Sequence, residues 1–207
     1  MTSAPTVPPA LAGRRLVVVD VEGNGQTPPE IIEIALLPVD LGVTETGLHS
    51  WLIRPQQPIS SMVIRKVHGI TNDDVADSPA WSEVAADVTS LLDDRVLVAH
   101  NASVEHRVLG AHLPDWAPSL VLDTLRLAKH VWPGLTEGYG LDKLIAHADL
   151  DPGAFAQDGH HRAGYDTWCT WQLLRRLVED GDLTWDSLVA TAALPGLVRA
   201  EQPEGLW

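Results

Sequence analysis

The sequence predicts an α/β fold built on a mixed sheet, and three observations carry that expectation. Short, continuous apolar runs occur at Leu16 to Val19, Val96 to Ala99 and Leu120 to Leu122, and their length and β-branched bias suit buried strands. Two further strand candidates, Ile31 to Val39 and His49 to Arg54, follow the first run closely with turns near Gly25 and Gly42, the spacing of an antiparallel meander. After that, strands alternate with helical periodicities, which implies parallel inner strands with helices packed on the sheet.

The helices follow in order. Ser78-Pro79 supplies an N-cap residue and a proline suited to the first helical position, and Trp81, Val84, Val88 and Leu91 recur behind it at helical spacing until about Asp94. Helices are expected over Val104 to His112, Thr124 to His130, Leu141 to Ala148 and Asp166 to Glu179. Residues 1–13, rich in Pro and Ala, read as a mobile leader, residues 14–195 as one domain and residues 196–207 as a tail.

At 207 residues and 45% hydrophobic, the chain has the size of one globular domain. No run reaches the ~18 apolar residues of a membrane span, and the start lacks the basic-then-apolar order of a signal peptide, so a cytoplasmic location is expected. Cys169 is the single cysteine, which excludes an intramolecular disulfide and a cysteine-based zinc site. With 14 basic against 28 acidic residues the net charge is −14. That balance excludes extensive wrapping of nucleic acid through phosphates, yet it is compatible with carboxylates that bind divalent cations.

Three segments carry candidate chemistry. Asp20 and Glu22 end the first strand one residue apart, so strand alternation sends both carboxylates to one face. They are either turn-forming acids or a pair that shares a proton or a cation. His100-Asn101-Ala102-Ser103-Val104-Glu105 directly follows the strand ending at Ala99, a position where α/β sheets present site residues; otherwise these are turn residues and a helix-start charge. His161 lies in the loop before the last long helix and Asp166 at its start, where Asp166 reads equally as an N-cap. Trp81, Trp168 and Trp171 sit at packing positions on helices, and core is the better reading for them. Arg65, Lys66, Arg107 and Arg162 neighbour these segments and are candidate phosphate contacts.

Taken together, Asp20-Val21-Glu22, His100-Asn101-Ala102 through Glu105, and His161 with Asp166 resemble the three ordered motifs of the DnaQ-like 3′–5′ exonucleases, in the subgroup that carries a histidine (DEDDh). The resemblance also takes in Lys66 to Thr71, Asp123-Thr124-Leu125 and Tyr139 to Leu144, about residues 15 to 180. It implies a ribonuclease H-like fold and hydrolysis of phosphodiester bonds at single-stranded 3′ ends, DNA favoured over RNA, with release of nucleoside 5′-monophosphates. It implies two divalent metal ions, Mg2+ or Mn2+, held by Asp20, Glu22, Glu105 and Asp166, with His161 taking the proton from the attacking water. Gly23, Asn24, His68 and Asn101 are the implied substrate contacts, and a polymerase or repair partner is compatible with it. The chain departs from the family pattern at Gly23-Asn24-Gly25, where many members have Thr-Thr-Gly, at Glu105, where the pattern has aspartate, and at Val104, where an aromatic residue is common. A non-catalytic binding subunit and a short-RNA exoribonuclease are the alternatives.

Overall fold

In a computed structural model of the chain, residues 7–39, 45–59 and 67–196 are described. The expected tail beyond residue 196, the turn at Gly42 and the cations Arg65 and Lys66 lie outside them.

Five strands form one sheet in the order β3-β2-β1-β4-β5, with β1 Leu16–Gly23, β2 Ile31–Val39, β3 His49–Leu52, β4 Val96–Ala99 and β5 Val121–Asp123. β1 pairs antiparallel with β2 from Leu16↔Val39 to Glu22↔Glu33, and β2 pairs antiparallel with β3. On its other side β1 pairs parallel with β4, and β4 with β5. The expected meander followed by parallel strands is therefore the observed topology, with β1 at the centre.

Alternation along β1 explains why its apolar run is continuous. Leu16 and Val18 face one core with Leu37, Val98, Trp168, Trp171 and Leu174, whereas Val17 and Val19 face another with Ile34, Leu36, Val84, Val88 and Leu109. Helices cover both faces, so neither side of Leu16 to Val19 meets water. The helices are α1 Asn72–Val75, α2 Trp81–Leu92, α3 Ser103–His112, α4 Thr124–Val131, α5 Leu141–Ala148, α6 Ala163–Asp180 and α7 Trp185–Ala192. Trp168 and Trp171 are buried as expected, and half-buried Trp81 donates its indole N–H to the His112 carbonyl at 3.3 Å.

Several boundaries differ from the sequence expectation. α2 starts at Trp81, with Ala80 rather than Ser78 at its cap, because the Glu83 carboxylate accepts the Ala80 N–H at 2.7 Å. Pro79 is drawn away from the helix: its carbonyl accepts the Arg54 N–H at 2.9 Å, and Arg54 bridges to Ala80. That pairing also ends β3 at Leu52 instead of Arg54. α6 begins three residues before Asp166, which therefore sits inside its first turn and is not its N-cap. Two helices were not expected, α1 and α7, and each opens on a capping box at Thr71/Asp74 and Thr184/Ser187; those side-chain pairs were the available signal.

Part of the expected leader belongs to the core. Pro9–Leu11 form a 3-10 turn, and Leu11 is 1% exposed in the cluster that contains Leu16, Val39 and Trp171. Leu11→Ala should therefore lower the unfolding free energy by about 2–5 kcal/mol, the usual range for a buried leucine. A urea titration shifting by less than about 0.5 kcal/mol, the scatter of surface substitutions, would show that residues 9–11 are dispensable.

Candidate active site

β1 delivers the first two carboxylates. Its ladder carries Asp20 opposite Ala35 and Glu22 opposite Glu33 before a bulge at Glu22/Gly23 ends the regular pairing. β4 leads directly into α3, whose first turn holds Glu105, 5% exposed. α6 brings Asp166, 7% exposed, and the loop before it brings the exposed His161. Glu22, His161 and Asp166 each offer a ligand atom within 4.8 Å of the others.

Burial and neighbouring charge raise the pKa of all four acids. Burial pushes the Asp20 carboxyl well above the usual range, and Asp166, Glu22, Glu105 and Glu33 add repulsion in that order. Burial likewise raises Glu22 to about 8, reinforced by Asp166, Glu33 and Glu105 and opposed by Arg162. Glu105 is raised to about 8, chiefly by burial, and Asp166 to about 6 by burial, offset by the His161 N–H. Asp20 Oδ2 and Glu105 Oε2 are buried with no hydrogen-bond donor. Buried carboxylate oxygens without donors are costly, and an oxygen-rich anionic set is what hard divalent cations such as Mg2+ or Mn2+ bind. The residue types fit such ions, for which Asp20, Glu22, Glu105 and Asp166 would be the donors.

His161 has φ +61° and donates its backbone N–H to Asp166 Oδ2 at 3.0 Å, which leaves its imidazole at the surface beside Glu22 and Asp166. Neighbouring His160 instead packs edge-on against Tyr165, ring centroids 4.9 Å apart.

The implied substrate contacts divide into two groups. Asn101, φ +63° and exposed, lines a shallow cleft with His100, Leu125, Lys129, Tyr139 and Gly140. Its N–H is fixed by Asp123 Oδ1 at 3.0 Å, which also accepts the Leu125 N–H at 2.8 Å. Gly23 sits at the bulge, where a Cβ would meet Pro29 Cβ at 3.2 Å. By contrast, Asn24 is 0% exposed, and its side chain accepts from the Gln26 and Glu30 N–H groups while donating to Glu30 and the Gln57 carbonyl. His68 is 4% exposed, and its Nδ1 accepts the Ile70 N–H at 3.0 Å. Asn24 and His68 are therefore buried, and their side chains brace loops. His100 is braced too, its Nε2 donating to the Tyr139 carbonyl at 3.0 Å.

Arg162 is also not a free phosphate contact. Its guanidinium grips the buried Glu33 carboxylate, with Nη2 2.7 Å from Oε1 and Nε 3.1 Å from Oε2. Sequence reasoning passed over Glu33, whose place in the apolar run Ile31-Ile32-Glu33-Ile34 was the only local sign that a partner was required.

Comparison with known proteins agrees with this geometry. A family model described as an exonuclease, RNase T, matches residues 17–174. Exodeoxyribonuclease 10 of Escherichia coli strain K12 is 32% identical over 172 residues, 81% of this chain and 71% of its own length. The PolC-type DNA polymerase III of Bacillus cereus is 31% identical over 176 residues, 82% of this chain but 12% of the polymerase. The chain thus spans only a small part of the PolC-type relatives it matches. The solved structure of Exonuclease X in complex with 5′ overhanging duplex DNA aligns with a TM-score of 0.68 at 29% identity, over 85% of this chain and 98% of that one. With its mixed sheet and helices on both faces, the protein has the ribonuclease H-like exonuclease fold. The chain belongs to the DnaQ-like family of 3′–5′ exonucleases, which hydrolyse nucleic acid. Among the described residues no helix is long and apolar enough to cross a membrane.

The raised carboxyls give stability a definite pH dependence. Glu22 and Glu105 bind protons more tightly folded than unfolded, so the stability they contribute is full below about pH 4, their ordinary pKa, and is lost as pH rises through about 8. His68 and His100, with lowered pKa, act in the opposite sense but only below about 6.5. Metal-free protein should therefore melt at a lower temperature at pH 9 than at pH 7, and added Mg2+ or Mn2+ should remove most of the difference. Melting that is level or rises over that interval without metal would mean the acids are not mutually strained.

Proposed function

We propose that the protein removes nucleotides one at a time from single-stranded 3′ ends, DNA in preference to RNA, with two divalent metal ions, and releases nucleoside 5′-monophosphates. The observation that carries this reading is that Glu22, Asp166 and the exposed His161 offer ligand atoms within 4.8 Å of one another, while Asp20 lies near enough to Asp166, Glu22 and Glu105 to feel their charge. When bound, the ions would polarise the phosphodiester, neutralise its charge and lower the pKa of a water. Asp20, on the central strand and repelled by all three other acids, is the natural shared ligand.

His161 takes the proton from the attacking water. Its backbone is tied to Asp166 while its ring remains at the surface, and an imidazole is the side chain able to accept a proton near neutral pH. Gly23, next to Glu22 at the end of β1, and the exposed Asn101 offer contacts for the terminal nucleotide. The DNA preference draws on the relatives, one called an exodeoxyribonuclease and one solved with overhanging duplex DNA. The PolC-type relatives, named as DNA polymerase III, favour association with a replicative polymerase.

Matched 5′-labelled single-stranded DNA and RNA oligonucleotides test the reading. Stepwise shortening from the 3′ end with Mg2+ or Mn2+, abolished by EDTA and faster on DNA, is expected; activity in metal-free buffer or digestion from the 5′ end would contradict it. His161→Ala should lower turnover by about 10²–10⁴-fold, the span of general acid-base catalysis, and His160→Ala far less. Equal losses in the two variants would assign the proton transfer elsewhere.

Glu105 keeps the charge and both oxygens of an aspartate at a longer reach, and its buried Oε2 has no donor. Glu105→Gln should therefore sharply weaken metal-dependent hydrolysis without unfolding the protein, while Glu105→Asp retains measurable activity. Unchanged turnover in Glu105→Gln would remove this residue from the site.

A further inference from the structure

Glu33 is a buried carboxylate that the chemistry above does not use. It stands on β2 directly across from Glu22, on the same face of the sheet, and is 5% exposed. Placed there, it adds to the repulsion felt by Asp20, Glu22 and Asp166. A fifth acid beside four others is unfavourable unless its position does something that a neutral residue would not.

Its contacts indicate what that is. One oxygen, Oε2, accepts the Ala163 N–H at 3.0 Å, and Ala163 is the first residue of α6. The N-cap residue of α6 is Arg162, whose side chain forms no cap. Glu33 therefore caps the helix from a strand 130 residues away in sequence, a task that a serine or threonine at the cap position performs locally without a buried charge. The Arg162 guanidinium closes on the same carboxylate as a fork, with contacts at 2.7, 3.1 and 3.2 Å. Such a pair fixes direction as well as distance. His161 is the residue before that clamp, and its N–H is held by Asp166, in the helix's first turn, on the other side.

We propose that Glu33 and Arg162 are positioning residues that hold the His161 loop at a set distance from Glu22, so that the histidine and the carboxylates keep one geometry. Glu33 is anchored in the strand pairing with Glu22, and the loop is anchored to Glu33. The role in turnover rests on His161 acting as the base; the anchoring of the loop does not.

Two measurements on Glu33→Gln separate those parts. Gln keeps an oxygen for the Ala163 N–H and removes the charge. Amide hydrogen exchange at residues 160–166 should speed up by at least about tenfold while exchange in β1 and β4 is unchanged, an effect of local opening; unchanged exchange at 160–166 overturns the proposal whatever the activity. In turnover, kcat should fall about 10- to 100-fold with KM little altered, the scale of a misplacement near 1 Å. Added to His161→Ala, the same change should have little further effect, because both variants damage one function. An undiminished second loss overturns the positioning role but leaves the nuclease reading intact, whereas an inactive wild-type protein, with exchange behaving as expected, fails the nuclease reading alone. Should Glu33→Gln fail to fold, Glu33→Gln/Arg162→Gln removes both charges together and leaves an amide pair in the same place. The same exchange and kinetic outcomes apply to it.

Discussion

Burial of Asp20, Glu22, Glu105 and Asp166, to which repulsion from neighbouring acids adds, is the constraint on which the rest of the structure depends. Each carboxylate comes from a different stretch or register of the chain, two from the central strand and one from each of two helices. Each is partly or wholly withdrawn from water, which raises its pKa and strengthens every charge interaction it has. Left alone, such a group would spread apart or protonate. It remains assembled because Leu16 to Val18 are paired on both sides and buried, and Asp20 and Glu22 continue the same strand in the β2 ladder, so its two acids cannot retreat.

The loops that carry the other groups are fixed by side chains that never reach the reaction centre. Asp123 holds the turn after β4 through Asn101 and begins α4 with its other contact. Asn24 holds the turn between β1 and β2 and ties it to the Gln57 carbonyl, and His68 Nδ1 holds the turn before α1. Rigid support of this kind is what holds a loop-borne histidine within reach of a strand-borne carboxylate.

What was legible in the sequence follows from how local each signal is. β1, β4 and β5 announced themselves as apolar runs because both sheet faces are covered, and the Asp20/Glu22 pair could be placed on one face by alternation alone. Helix starts were less legible: Ser78-Pro79 has ideal local chemistry, yet the backbone there is taken by Arg54, and Glu83 supplies the cap instead. The start of α6 was misplaced for a related reason, since its cap comes from Glu33 across the fold. Asn24 and His68 have the residue types and motif positions of substrate contacts, and only burial distinguishes a residue that touches a ligand from one that holds the loop beside it. Leu11 was hidden by the proline-rich composition around it, which says nothing about whether one side chain finds the core.

Strain among the acids and affinity for cations are two sides of one claim: the cluster is held partly protonated until a metal ion displaces the protons. Calorimetric titration with Mn2+ at pH 7, repeated in two buffers of different ionisation enthalpy, measures that exchange directly. The account predicts that binding releases protons, seen as a heat that differs between the buffers in proportion to their ionisation enthalpies, and that Glu105→Gln releases fewer. Binding with the same heat in both buffers, or no binding at all, would contradict it.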